Sequence, residues 1–162
     1  MTYQPGDYVA IHAQPAWKEQ SNFVFQIPIA NDNGGRSWEQ LWWRKLSDTR
    51  FVLCCIPFFV YDLSLGDEAE LAIEVDGTRC IREITRPSGQ WTFRVWFGDV
   101  SADLRDLAIA RIEKENPTME WSSANLVAIS TTSERSQPMA DVLADLEVTG
   151  HLQYETGWAK DA

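Results

Sequence analysis

The stretch that decides the fold is WTFRVWFGDVSADLRDLAIARIEKENPTMEWS (Trp91–Ser122), because the spacing of its apolar residues changes partway through. Through Phe97 the apolar residues alternate as on a β-strand. From Asp99 they follow a period near 3.6, with Leu104, Leu107, Ala108 and Ile112 on one face and Asp103, Arg105, Asp106 and Glu113 elsewhere. A helix is therefore predicted, capped by Asp99 or Ser101 and closed at Asn116-Pro117, since proline disfavours helical geometry in the residue before it. Short strands are predicted at Thr118–Ser122 and Leu126–Ser130. A second helix is expected to be capped by Ser136, with Pro138 in its first turn and Met139, Val142, Leu143 and Leu146 facing inward. Gly150 ends it, and His151–Trp158 reads as a last strand. The order β-α-β-β-α-β is that of a ferredoxin-like sandwich, expected over residues 90–162.

Upstream the pattern is all β. FVFQIPI (Phe23–Ile29) is followed by the turn-forming NDNGG, then by Trp38–Lys45 and Phe51–Ile56. Glu68 to Asp76 alternates, with Ala69, Leu71, Ile73 and Val75 on one face and Glu68, Glu70, Glu74 and Asp76 on the other. Asp76-Gly77 favours a tight turn into Thr78–Arg86. A strict two-residue loop would aim Arg82 at the core, so a bulge or a longer loop is expected. The fold class is thus α+β: an N-terminal arm (1–22), then a small barrel or curled antiparallel sheet (23–89), then the sandwich.

Charge and composition narrow the function. The chain has 162 residues and a net charge of −10, and 19 of its 24 acidic residues lie after residue 60. Such a field repels nucleic acid and anionic membranes and attracts a basic partner. The opening MTYQPGDYVA has no basic, apolar leader pattern, and no run approaches the ~18 apolar residues of a membrane span, so a cytoplasmic location is expected. Cys54, Cys55 and Cys80 read as reduced thiols, without a C-x-x-C pair.

Catalytic signatures are scarce. His12 and His151 stand in no metal-binding spacing and beside no cysteine pair, and Cys54 and Cys55 lie in an apolar strand that raises thiol pKa. Asn33-Gly34-Gly35 lacks the lysine and hydroxyl residue of a P-loop, and no G-x-S-x-G occurs. No enzyme activity, cofactor or metal is expected. The ladder Glu68, Glu70, Glu74 and Asp76 is the candidate docking strip for a basic partner, with Glu113, Glu115, Glu120, Asp141, Asp145 and Glu147 as extensions. Trp17 and Trp43 are the candidate aromatic anchors. Trp42 and Trp43 point to opposite faces of their strand, and Trp158 is a candidate seal between the subdomains.

Leu41-Trp42, Ile56-Pro57-Phe58, the step Tyr61-Asp62-Leu63-Ser64-Leu65-Gly66-Asp67 and the late Tyr154-Glu155-Thr156-Gly157-Trp158 together resemble a bacterial family known as domain of unknown function 4265. The resemblance covers most of residues 23–158. It implies a small bacterial cytoplasmic protein and, by analogy, an accessory or immunity partner of a toxin. It lends no catalytic residue. The leading expectation is an immunity protein that occludes the active site of a basic toxin with an acidic surface. The alternative is a regulatory module that holds a small molecule where the two subdomains meet.

Overall fold

The computed structural model describes residues 4–32 and 34–157. Among the described residues ten strands form two sheets, accompanied by two α-helices. The first sheet contains β1 (Tyr8–Ala10), β2 (Phe23–Ile29), β3 (Ser37–Lys45), β4 (Arg50–Leu53), β5 (Glu68–Ile73) and β6 (Arg79–Arg86). β2 pairs along one edge of β3, while β1, in parallel, and β4 share the other. The arm is thus not merely a lead-in, since its residues 8–10 complete the sheet.

Alternation does the packing. Phe25 and Ile27, Leu41 and Trp43, Phe51 and Leu53, and Ala69 and Leu71 fill one concave face. Phe25 and Phe51 meet edge to face at 5.0 Å. The sheet curls until β2 approaches β6, and the Arg79 guanidinium lies 4.5 Å over the Phe25 ring, but no hydrogen-bonded ladder joins the two strands. The curl therefore stops short of a closed barrel.

The second sheet has the order β10-β7-β9-β8, antiparallel throughout: β7 (Gln90–Trp96), β8 (Thr118–Ser123), β9 (Leu126–Thr132) and β10 (Gln153–Thr156). Helices α1 (Ala102–Glu113) and α2 (Ser133–Val148) cover one face, where Phe93, Val95, Val127 and Ile129 meet Ala108, Ile112, Met139 and Leu143. Thr92, Arg94, Glu120 and Ala128 point to the other face, toward the first sheet. No helix among the described residues is long and apolar enough to cross a membrane.

Two local expectations need correction. The contact stripe of α1 runs through Ala108, Ile109 and Ile112, which leaves Leu104 and Leu107 exposed. Helix α2 starts three residues before Ser136, so Pro138 is inside it; the carbonyl its missing N–H would have engaged belongs to exposed Glu134 in the first turn. The β5–β6 connection, by contrast, is the longer loop expected, spanning residues 74–78 and closed by the Glu74 N–H on the Thr78 carbonyl at 2.7 Å. Register shifts at Glu68/Ala69 and Glu70/Leu71 supply the expected irregularity, and Arg82 points to solvent.

Candidate functional site

Between the sheets runs a strap, residues 54–67, which carries most of the residues behind the family resemblance. Buried charge holds it. The Glu39 carboxylate accepts the N–H groups of Phe58, Phe59 and Val60 at 2.6, 2.9 and 3.0 Å. Glu120, from β8, accepts those of Ile56 and Ala16 at 2.5 and 3.2 Å. His12 stands between them, with Nδ1 2.8 Å from Glu120 and Nε2 2.9 Å from Glu39, its ring stacked on Phe58 at 4.1 Å. All three side chains are buried.

The protonation state follows from the donors. Among the described residues both carboxylates otherwise accept only backbone N–H groups, and a ring that donates to both from its two nitrogens is an imidazolium. Burial alone would lower the imidazole pKa. Contact with Cys55 and with the two carboxylates overcomes it and holds the pKa well above the usual range. Burial raises the Cys55 thiol pKa, so that thiol is neutral and the carboxylates carry the effect. His12 is thereby committed as a cationic pin rather than available as a base.

Arg94 completes the attachment. Its Nε donates to the Pro57 carbonyl at 3.2 Å, Nη2 donates to the Val60 carbonyl, and the guanidinium covers the Tyr61 ring at 4.5 Å. The Tyr61 hydroxyl donates to Glu155 at 2.7 Å.

The Ser64-Leu65-Gly66-Asp67 step is a second fastening. Asp67 accepts the N–H groups of Ser64 and Ser88 at 2.8 and 2.7 Å. The Ser64 hydroxyl lies 3.0 Å from that of Thr92. Gly66 has a φ of +83°, and a Cβ there would stand 2.9 Å from the Trp17 ring. Gly66→Ala should therefore cost about 1–3 kcal/mol, read as a lower urea midpoint at unchanged slope.

The pinned strap forms one wall of a cleft of about 930 Å³ at the meeting of the two sheets. Ile27 and Pro28 of β2, Val60 to Ser64 of the strap, Cys80 to Ile84 of β6, and Gln90 and Trp91 of β7 line it. β6 has only β5 as a strand partner among the described residues, so the cleft follows an open sheet edge. Tyr61 and Trp91 are partly exposed at this surface.

The residues expected to bind a partner are dispersed. Glu68 is buried and ion-paired with Arg50, and Glu70 meets Arg82 at 3.6 Å. Strand β5 ends at Ile73, so Glu74 and Asp76 lie in the following loop, where Glu74 accepts from the Cys80 thiol at 3.1 Å and Asp76 accepts the Thr78 N–H at 2.9 Å. Four aligned carboxylates are not formed, because bulges and cationic neighbours intervene. Trp43 is fully buried in the first sheet's core, which rules it out as a surface anchor; half-buried Trp42 is its outward neighbour. Trp17 is half-buried against Gly66 and the Ile56–Phe58–Leu65–Ala128 cluster. Of the extensions, Glu120 is the buried partner of His12, Asp145 pairs with Arg111 at 2.6 Å and Glu115 with Arg135 at 3.6 Å. Trp158 and Asn33 lie outside the described residues.

Sequence reasoning missed the His12–Glu39–Glu120 pin. A signal for it existed in β3, where Glu39 shares the alternation of Leu41 and Trp43 and so faces inward. A carboxylate on a core face requires donors.

A hypothetical protein from Neisseria gonorrhoeae, known from its crystal structure, superposes with a TM-score of 0.68 at 18% identity, covering 93% of this chain and 99% of that one. This likeness concerns the fold alone. No curated protein matches. The model of the domain of unknown function DUF4265 matches residues 39–154, a span that holds Glu39, the strap, Arg94 and Glu120, and the chain belongs to that family.

Proposed function

We propose that the protein acts by binding, as a small-molecule-binding module whose ligand sits in the cleft between the curled sheet and the α/β layer. The cleft carries this reading: about 930 Å³, walled mostly by aliphatic and aromatic side chains with a few polar groups, is within the range of ligand sites. The commitment of His12 as the buried pin supports a non-enzymatic role. Strand order β10-β7-β9-β8 with two helices on one face supports a ferredoxin-like assignment for the second unit. Three free thiols are in keeping with a reducing, cytoplasmic setting.

A thermal-shift screen against a metabolite set tests the proposal. A ligand at a hundredfold excess over its Kd should raise Tm by about 5–10 °C. The shift should disappear in Cys80→Trp, which fills the cleft from its half-exposed rim. A screen without any shift, or a shift that persists in the variant, would refute the assignment.

The immunity-protein reading draws its remaining support from the net charge of −10. It requires a basic protein partner, captured at low salt and released as salt rises. A chain that rescues cells from no toxin encoded beside it would count against that reading.

A further inference from the structure

We infer that a second site, a groove of about 530 Å³ on the first sheet, takes an elongated organic dianion with acidic groups at both ends of an apolar body. The inference does not rest on the cleft, with which the groove shares only Pro87 and Gln90. Arg44, Val52, Glu68 and Arg86 are in register across β3, β4, β5 and β6. Their side chains therefore form one row, on the face of the sheet turned away from its concave core. Trp17 and Gln20 from the arm, and Ser88 and Gln90 from the turn after β6, complete the lining.

The arginines set the charge of this groove. Of the ten in the chain, six are ion-paired with carboxylates, Arg105 donates to the Ala124 carbonyl, and Arg79 lies over Phe25. Among the described residues only Arg44 and Arg86 have guanidinium groups with no hydrogen bond, ion pair or ring contact, and both line the groove. Acidic residues outnumber basic ones by 24 to 14, yet none engages these two cations. Glu68, the one carboxylate of the lining, is buried and paired with Arg50, which lies outside it. Neighbouring strands are about 4.8 Å apart, so Arg44 and Arg86, three strands apart, stand about 14 Å from each other at the backbone. Between them Val52 and Trp17 offer apolar surface, and the Glu68 carboxylate repels an anion at the centre. A compact phosphate would meet one guanidinium; a chain with a carboxylate at each end meets both, and each guanidinium presents a fork that fits a carboxylate. The Gln90 NH2 group adds a neutral donor, since its amide oxygen already accepts from the Ser130 hydroxyl.

Three probes separate charge from span: sebacate; succinate, which has the same charge on a chain too short for the row; and decanediol, which has the length of sebacate without its charge. At low ionic strength, calorimetry should show sebacate binding about tenfold or more tightly than either of the others. Arg44→Gln and Arg86→Gln should each weaken sebacate binding about tenfold. Neither guanidinium has a partner to lose, so both variants should keep the parent's urea midpoint. Cys80→Trp, which fills the cleft, should bind sebacate as the parent does. Equal binding of sebacate and succinate, or of sebacate and decanediol, overturns the inference, as does sebacate affinity that either arginine variant retains. Binding that is lost in Cys80→Trp assigns the anion to the cleft, which overturns the inference and favours the cleft as a ligand site. If polyglutamate binds and sebacate does not, the inference fails in favour of an acidic protein partner. If sebacate does not bind at all, the inference fails and the cleft reading stands on its own thermal screen.

Discussion

Glu39→Ala should lower the stability of the fold by about 3–5 kcal/mol, the cost of removing one member of a buried, hydrogen-bonded charge pair. The substitution strips acceptors from the N–H groups of Phe58, Phe59 and Val60 and leaves the His12 ring facing Glu120 alone. Each buried N–H left without a partner carries its own desolvation penalty of about 1–3 kcal/mol, partly relieved where the strap relaxes toward water. Stability is marginal in domains of this size, at roughly 5–15 kcal/mol, so the loss is a large share of the total. Urea unfolding followed by tryptophan fluorescence measures it. Glu39→Gln separates charge from hydrogen bonding, because its amide oxygen can still accept from the strap while its charge is gone; it should recover part of the loss. If Glu39→Ala unfolds within 1 kcal/mol of the parent, the pin does not hold the strap. The damage should also reach the cleft, since Val60 through Ser64 are wall residues suspended from the same carboxylate.

The sequence was readable wherever structure is local. FVFQIPI coincides with β2, Ser101 does cap α1 through its acceptance of the Leu104 N–H, and the change of period after Phe97 separates strand from helix. These features depend on residues within a turn or two of one another, and a one-dimensional pattern contains them. The pin does not have that property. His12 meets Glu39 and Glu120 across 27 and 108 positions, and its own neighbourhood, Ile11 to Pro15, has no periodicity to mark it. The acidic ladder failed for a related reason. Alternation sets which face a carboxylate takes, but its neighbours across the sheet decide whether it stays free, and Arg50 and Arg82 occupy those places for Glu68 and Glu70. Trp42 and Trp43 show the same limit: opposite faces follow from the strand, but which face is core follows from the curl.

The charge on His12 should make stability depend on pH in a way that a single substitution abolishes. The folded-state pKa is raised well above the unfolded value near 6.5, so the folded state retains the proton over a range in which the unfolded chain has released it. The contribution is therefore complete below about pH 6.5 and declines as pH rises toward the folded-state pKa, with a limiting slope of about 1.4 kcal/mol per pH unit. Cysteines and tyrosines also titrate at alkaline pH, so the informative quantity is the difference between the parent and His12→Gln. Glutamine can donate to one carboxylate, keeps a similar reach and carries no charge, which should lower stability at pH 6 by about 3 kcal/mol or more. From pH 7 to pH 9 the gap between the two proteins should narrow by about 2–3 kcal/mol, measured as urea midpoints at constant slope. A gap that stays constant across this range would mean that the ring is neutral in the fold. One of the two carboxylates would then have to be protonated, and the strap would be held by hydrogen bonds without a net cation beneath it.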